Sequence, residues 1–249
     1  MIGAAGPGGA PLIVCDSADF DGTNDSMARG AGLTGAADSK TGILSAWCRL
    51  DGGDGANIYI LSNSEVGTGV TLFRAAANIF QINGMNTAGT FILQLASTTT
   101  YTTAATWLHV LASWNLATAS ASLYINGVSD LAGGPTLTDD TIDYTKTDCY
   151  IGNAFTGTVD WNGCLAEFYF APGQYLDFSL VANRRKFIDS AGKPVHLGTT
   201  GALPTGTAPL VYLHLDDGEA VANFATNRGT GGNFSITGTL DTGSTSPSD

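Results

Sequence analysis

The sequence predicts an all-β chain folded as an antiparallel sandwich of two sheets, and three observations carry that expectation. The first is the segment 107–127, WLHVLASWNLATASASLYING, in which apolar residues alternate, a short polar loop intervenes, and alternation resumes. Strand side chains point to opposite faces in turn, so Leu108, Val110, Ala112 and Trp114 share a face, as do Leu123 and Ile125. Asn126-Gly127 then supplies the positive φ angles that a two-residue hairpin turn demands. The second observation is the density of such segments along the chain, without the ten-to-fifteen-residue helices that a parallel sheet needs between its strands. The third is composition: 33 glycines in 249 residues, with 43% hydrophobic and 13% charged, suits many short strands joined by tight turns.

In chain order, residues 1–11 (MIGAAGPGGAP) are an arm of Gly, Ala and Pro that cannot pack on itself. A single sandwich domain is expected over 12–240. Its strand candidates are 12–14, 26–28, 42–50, 57–62, 70–74, 79–82 and 91–96, separated by turn signals, followed by the two strands of the 107–127 segment. In 42–50, Leu44, Ala46, Cys48 and Leu50 alternate with Ser45, Trp47 and Arg49, the pattern of a half-buried strand. Asn83-Gly84 and Asn162-Gly163 read as further hairpins. Within 148–170 (DCYIGNAFTGTVDWNGCLAEFYF), strict alternation puts Cys164, Ala166, Phe168 and Phe170 on one side. One helix is predicted over 179–190, capped by Ser179 or Asp177 and ended by Gly192, with Leu180, Val181, Arg184, Phe187 and Ile188 on one stripe. Strands at 210–215 and 233–240 are expected to return beside the N-terminal strand, and 241–249 is a polar tail.

Charge and cysteine usage exclude several functions. The net charge is −12, which repels nucleic-acid backbones and anionic membranes. Nineteen of the 22 acidic residues are aspartates, most beside Gly, Thr or Asn, where they serve turns. Cys15, Cys48, Cys149 and Cys164 lack metal-site spacing and read as buried free thiols, although Cys149 and Cys164 would face each other if their strands were neighbours. No stretch has transmembrane length, and the opening residues lack the basic and apolar regions of an export signal.

Trp-x-His-Val at 107–110, Leu-Tyr-Ile-Asn-Gly at 123–127, Ile-Gly-Asn at 151–153 and Gly-x-Leu-x-Glu-Phe at 163–168 together resemble the laminin-G-like, concanavalin A-like jelly-roll family. The resemblance spans roughly 12–240 and implies an all-β, antiparallel two-sheet jelly roll with one short helix in its C-terminal half. The stretch NRRKFIDSAGKPVHLG (183–198), then PTGTAPLVYL (204–213) and the segment 224–249, resembles bacteriophage virion proteins of this fold. That likeness implies a virion component assembled in the host cytoplasm, with homo-oligomers known among such proteins; because the chain lacks the repeats and long coiled segments of an entire tail fibre, a non-enzymatic capsid decoration or head appendage contacting other virion proteins is expected. The alternative is a lectin-like adhesin that binds host polysaccharide.

Candidate chemistry is sparse. Glycoside hydrolases exist on this fold, but retaining hydrolysis needs two carboxyls about 5 Å apart. Around Glu167 the same-face positions are Gly163, Leu165, Tyr169 and Ala171, so a structural role is expected and no catalytic residue is assigned. His109, His196 and His214 fall in no catalytic motif. For calcium, Asp139, Asp140 and Asp143 form the best cluster, with Asp51 and Asp54 second; either is also readable as a solvated acidic turn, and no cofactor is required. For carbohydrate, Trp47, Arg49, His109, Glu167 and Tyr169 are expected to share the face opposite the core, unless another layer covers it. For docking to neighbours, the arm residues Ile2 and Leu12 and the basic run Arg184, Arg185, Lys186 are the candidates, the run being equally a solvated helix face.

Overall fold

The computed structural model describes residues 14–65, 68–154, 157 and 159–249, and its strands form two antiparallel sheets with the core between them. The first sheet runs β10 (Val128–Ser129), β9 (Ser120–Ile125), β8 (Ala104–Asn115), β3 (Thr41–Leu50), β13 (Asn162–Pro172), β1 (Ala18–Asp21), β16 (Asp241–Thr242). A further strand, β14 (Val211–Leu213), pairs with the C-terminal half of β13. The second sheet runs β11 (Thr136–Leu137), β7 (Phe91–Ala96), β6 (Phe80–Met85), β5 (Thr68–Arg74), β4 (Ile58–Glu65), β12 (Tyr150–Ile151), β2 (Ser26–Ala28), β15 (Ser235–Thr237). This is the all-β, antiparallel jelly-roll sandwich that the alternation predicts, with one short helix, α1 (Val181–Arg184).

The inner faces are those read from the sequence. Leu44, Ala46, Cys48 and Leu50 of β3 meet Val110, Ala112 and Trp114 of β8 and Leu123 and Ile125 of β9 in one cluster. Phe80, Ile82, Leu93 and Leu95 close it from the opposite sheet. The chain ends also return to the start: β16 pairs β1, β15 pairs β2, and Cys15 bridges Asp216. Of the 12–14 candidate strand, 12 and 13 lie outside the described residues, and Val14 is unpaired and exposed. Ile2 and Leu12 likewise lie outside the described residues.

Five local expectations are corrected. Asn126-Gly127 is a turn, both residues at positive φ, but Asn83-Gly84 lies inside β6 and Asn162-Gly163 opens β13. At Gly84 a Cβ would sit 2.9 Å from Ile142, so that glycine admits a neighbour instead of turning the chain. Strict alternation fails in β13, where the register slips between Ala166 and Tyr169 and Glu167 takes φ +46°. The bulge rotates the strand by one position. Phe168 and Phe170 therefore point into the inner core, whereas Ala166 packs with Trp47 and Ile188 on the outside.

β3 is buried on both faces rather than half-buried, because residues 176–197 lie over the first sheet as a third layer. Ile43, Leu111, Tyr169, Phe178, Phe187 and Tyr212 are packed there. The helix within that layer is one turn long, not 179–190. Asp177 Oδ1 accepts the Ser179 amide in a tight turn and caps nothing, and Ile188 leaves the helix to bridge Pro194. Leu180 and Val181 are consequently exposed while Phe187 and Ile188 are buried. The four cysteines are free and buried; Cys149 precedes β12 and Cys164 lies in β13, on different sheets.

Candidate functional site

Trp47, Arg49, His109, Glu167 and Tyr169 do lie opposite the inner core, but all five are buried, Trp47 to 3% exposure and His109 completely. Trp47 stacks on His109 at 4.6 Å, and His109 Nε2 lies 2.8 Å from Ser45 Oγ. Burial pushes the His109 pKa down to about 3, so the ring is neutral. Arg49 forks onto Asp51 at 2.7 Å and donates to Ser244 and Thr245 of the C-terminal stretch. Tyr169 meets the edge of Phe187. The face expected to stack on a sugar is thus filled by the chain itself, and no sugar reaches it while the third layer is in place.

The acidic clusters disperse in the same way. Asp139 pairs with Lys40, Asp140 accepts from Asn86 and the Thr141 amide, and Asp143 is buried against Lys146. Asp51 and Asp54 are taken by Arg49 and Arg74. Each carboxylate has its own partner, so neither loop converges on an ion. Among the described residues Asp19, Asp51 and Cys164 alone approach one another as metal ligands would. There Arg49 already neutralises Asp51, and burial with the Asp51 charge raises the Asp19 pKa. The basic run bonds to the chain's own backbone: Arg184 donates to the Phe178 and Ser179 carbonyls and stacks over Tyr124, Arg185 donates to Ile188 and Asp189, and Lys186 to Pro204. These bonds fasten the run to the chain's own backbone, while Arg185 stays exposed.

An open site lies on the other sheet. Because Phe80, Ile82, Leu93 and Leu95 point inward, Gln81, Asn83 and Gln94 point out. Register aligns them: Phe73, Gln81 and Ala96 form one row, and Thr71, Asn83, Gln94 and Thr136 the next. The loop 132–135 overhangs these rows, tied down by the Ala132 amide to the Ala96 carbonyl at 2.8 Å. Together they line a cleft of about 210 Å³. Gln94 Oε1 accepts from Thr136 Oγ1 at 3.2 Å; the Gln81 and Asn83 amides have no side-chain partner among the described residues and face solvent. Gly134, at φ +76°, supplies a bend that a side chain would strain, and a Cβ on Gly133 or Gly134 would meet nothing within 4 Å. The loop backbone is therefore open to a ligand. The signal for this site was present in FQINGM and FILQLA, where amides rather than charges occupy the outward positions.

A family model described as the concanavalin A-like lectin/glucanases superfamily, of the laminin-G type, matches residues 21–172. The chain belongs to that superfamily. No curated protein matches it significantly. Among solved structures, a Bacteroides ovatus protein assigned as carbohydrate-binding superposes with a TM-score of 0.63 at 13% identity, covering 93% of this chain and 60% of that one. The chain therefore spans less than two thirds of that relative. The native heptameric SAP-like pentraxin of Limulus polyphemus superposes with a TM-score of 0.54 at 10% identity, covering 92% and 94%.

Glu167, the carboxylate weighed above for hydrolysis, is engaged on both carboxylate oxygens. Its Oε2 accepts from Tyr212 Oη at 2.9 Å and its Oε1 contacts His214 Nδ1, while His214 Nε2 lies 3.1 Å from Asp216. Arg228 closes the network on Asp216 and Glu219. Burial lowers the His214 pKa, but the Glu167 charge and hydrogen bond outweigh it and leave the pKa raised. Both glutamate oxygens are occupied, and Asp216 is separated from them by the imidazole ring. Glu167 is therefore held as part of a buried hydrogen-bond network.

Proposed function

We propose that this chain is a non-catalytic carbohydrate-binding domain whose ligand occupies the β6–β7–β11 cleft. One observation carries the reading: Gln81 and Asn83, whose amides have no side-chain partner among the described residues, stand with Gln94 in register on one sheet face, beneath an exposed glycine loop. An amide offers both donor and acceptor, the same pair that each sugar hydroxyl offers in return. The carbohydrate-binding assignment of the Bacteroides ovatus relative supports the reading. Among the described residues no helix is long and apolar enough to cross a membrane.

The test is binding to arrayed glycans by wild type and by the combined Gln81→Ala, Asn83→Ala, Gln94→Ala variant, whose circular dichroism should be unchanged because all three side chains lie outside the core. Loss of signal by at least tenfold is expected; full binding by the variant, or no binding by wild type at high valency, overturns the reading. Placement on a phage particle, as a decoration or as the tip of a host-attachment appendage, is a second part of the proposal, supported by the resemblance of residues 183–198 and 204–249. Electron microscopy of particles lacking the gene tests it, with a missing surface feature expected and unaltered particles contradicting it.

A further inference from the structure

We infer that the β6–β7–β11 cleft selects uncharged glycans and holds them without a bridging metal ion, an inference that rests on the carbohydrate reading above and adds its ligand class. The cleft is lined by residues 81, 83, 94–96 and 132–136, among which there is no carboxylate, ammonium, guanidinium or imidazole. A sialic acid, uronic acid or sulfate group brought into it would shed water without gaining a counter-charge, a loss that hydrogen bonds from amides do not recover. The surrounding field adds to the exclusion. The chain carries a net charge of −12, and a buried carboxylate, Asp130, stands at the root of the overhanging loop. Asp130 accepts from Thr98, Thr99 and Tyr101, and these hydrogen bonds outweigh burial and lower its pKa, so it stays ionised at neutral pH.

Cation-mediated sugar binding fails on the same inventory. Calcium takes six to eight oxygens, several of them normally carboxylate. The cleft offers amide, hydroxyl and main-chain carbonyl oxygens only, too weak a field to hold an ion against water. What remains is direct exchange of hydrogen bonds. Gln81 and Asn83 project from adjacent positions on one face of β6, with Gln94 directly across from Asn83, so three amides surround a space about the size of one sugar ring. No aromatic ring lines it; Phe73, one strand away in the Gln81 row, is nearly buried and stacks on Tyr59. A site of this kind binds weakly, with a Kd of order 1 mM per ring, and works through repeated display.

The experiment compares matched oligosaccharide pairs, each neutral glycan beside its sialylated or sulfated form at equal density, with and without EDTA and across a salt series. The neutral member should bind at least tenfold better, EDTA should change nothing, and salt should leave neutral binding flat. Binding that prefers the acidic member, or vanishes in EDTA, overturns the inference; if that binding is still lost in the Gln81/Asn83/Gln94 triple alanine variant, the carbohydrate reading survives. Absence of binding to either member brings down the reading itself. A gain-of-function arm keeps the matter open to contradiction: Gln94→Lys places a cation at an exposed lining position and should raise binding of the acidic member severalfold. No gain there, with neutral binding retained, contradicts the claim that missing positive charge sets the preference.

Discussion

At Glu167 one residue does two jobs that its sequence neighbours do not reveal. Its φ of +46° is a conformation that side chains other than glycine seldom adopt, and the cost, of order 1 kcal/mol, is offset by the buried bonds from Tyr212 and His214. Glu167→Ala keeps the strained backbone and strands both partners, so a loss of about 3 kcal/mol is expected in urea unfolding. Glu167→Gln, which keeps the Tyr212 bond, should lose less. The two buried histidines have opposite pH signatures. His214, raised by Glu167, contributes stability that is complete below about pH 6.5 and is lost as pH rises through its folded value. His109, lowered to about 3 by burial, contributes stability present above about pH 6.5 and lost as pH falls toward 3. Unfolding midpoints of His214→Asn against wild type across pH 5–9 isolate the first: the difference should shrink as pH rises, and a constant difference would refute the assignment. At this scale the sequence was partly legible. Asn126-Gly127 was readable because its φ demand is local, whereas Asn83-Gly84 was not, because Gly84 answers to Ile142, far away in the chain.

Among elements, the C-terminal stretch changes character most. It reads as a polar tail, yet β16 pairs β1, Thr245 accepts from Ser17 and Arg49, and Ser246 and Ser248 bond the Cys15 carbonyl. These are polar bonds, three of them from hydroxyls to backbone carbonyls, which hydropathy cannot register. Removing residues 243–249 leaves Arg49 with Asp51 alone and frees the Cys15 carbonyl. We expect a loss of about 2 kcal/mol and a melting temperature lower by roughly 6 °C, measured by calorimetry. An unchanged melting temperature would make the stretch an ornament. The helix erred the other way, since capping residues and an apolar stripe were present, but Asp177 is spent on a turn and the following residues are drawn into the third layer.

For the whole molecule, the inner core and the antiparallel closure were legible because alternation states which side chains face inward. The third layer was not, because a strand buried on both faces shows the same alternation when its outer face carries Ser45, Trp47 and Arg49. The expected sugar face therefore became interior, and the open face moved to the other sheet, where Gln81, Asn83 and Gln94 point outward. Proteolysis should respect this arrangement: residues 176–197, as a packed layer, are expected to resist cleavage as long as the sandwich does, and early release of that segment would show that the first sheet is open after all.

Hydrogen exchange with a saturating, multivalent neutral glycan puts the binding face to the most direct test. Added protection is predicted in residues 80–96 and 132–137 and none in 42–50 or 162–172. Protection confined to those latter strands would contradict the account.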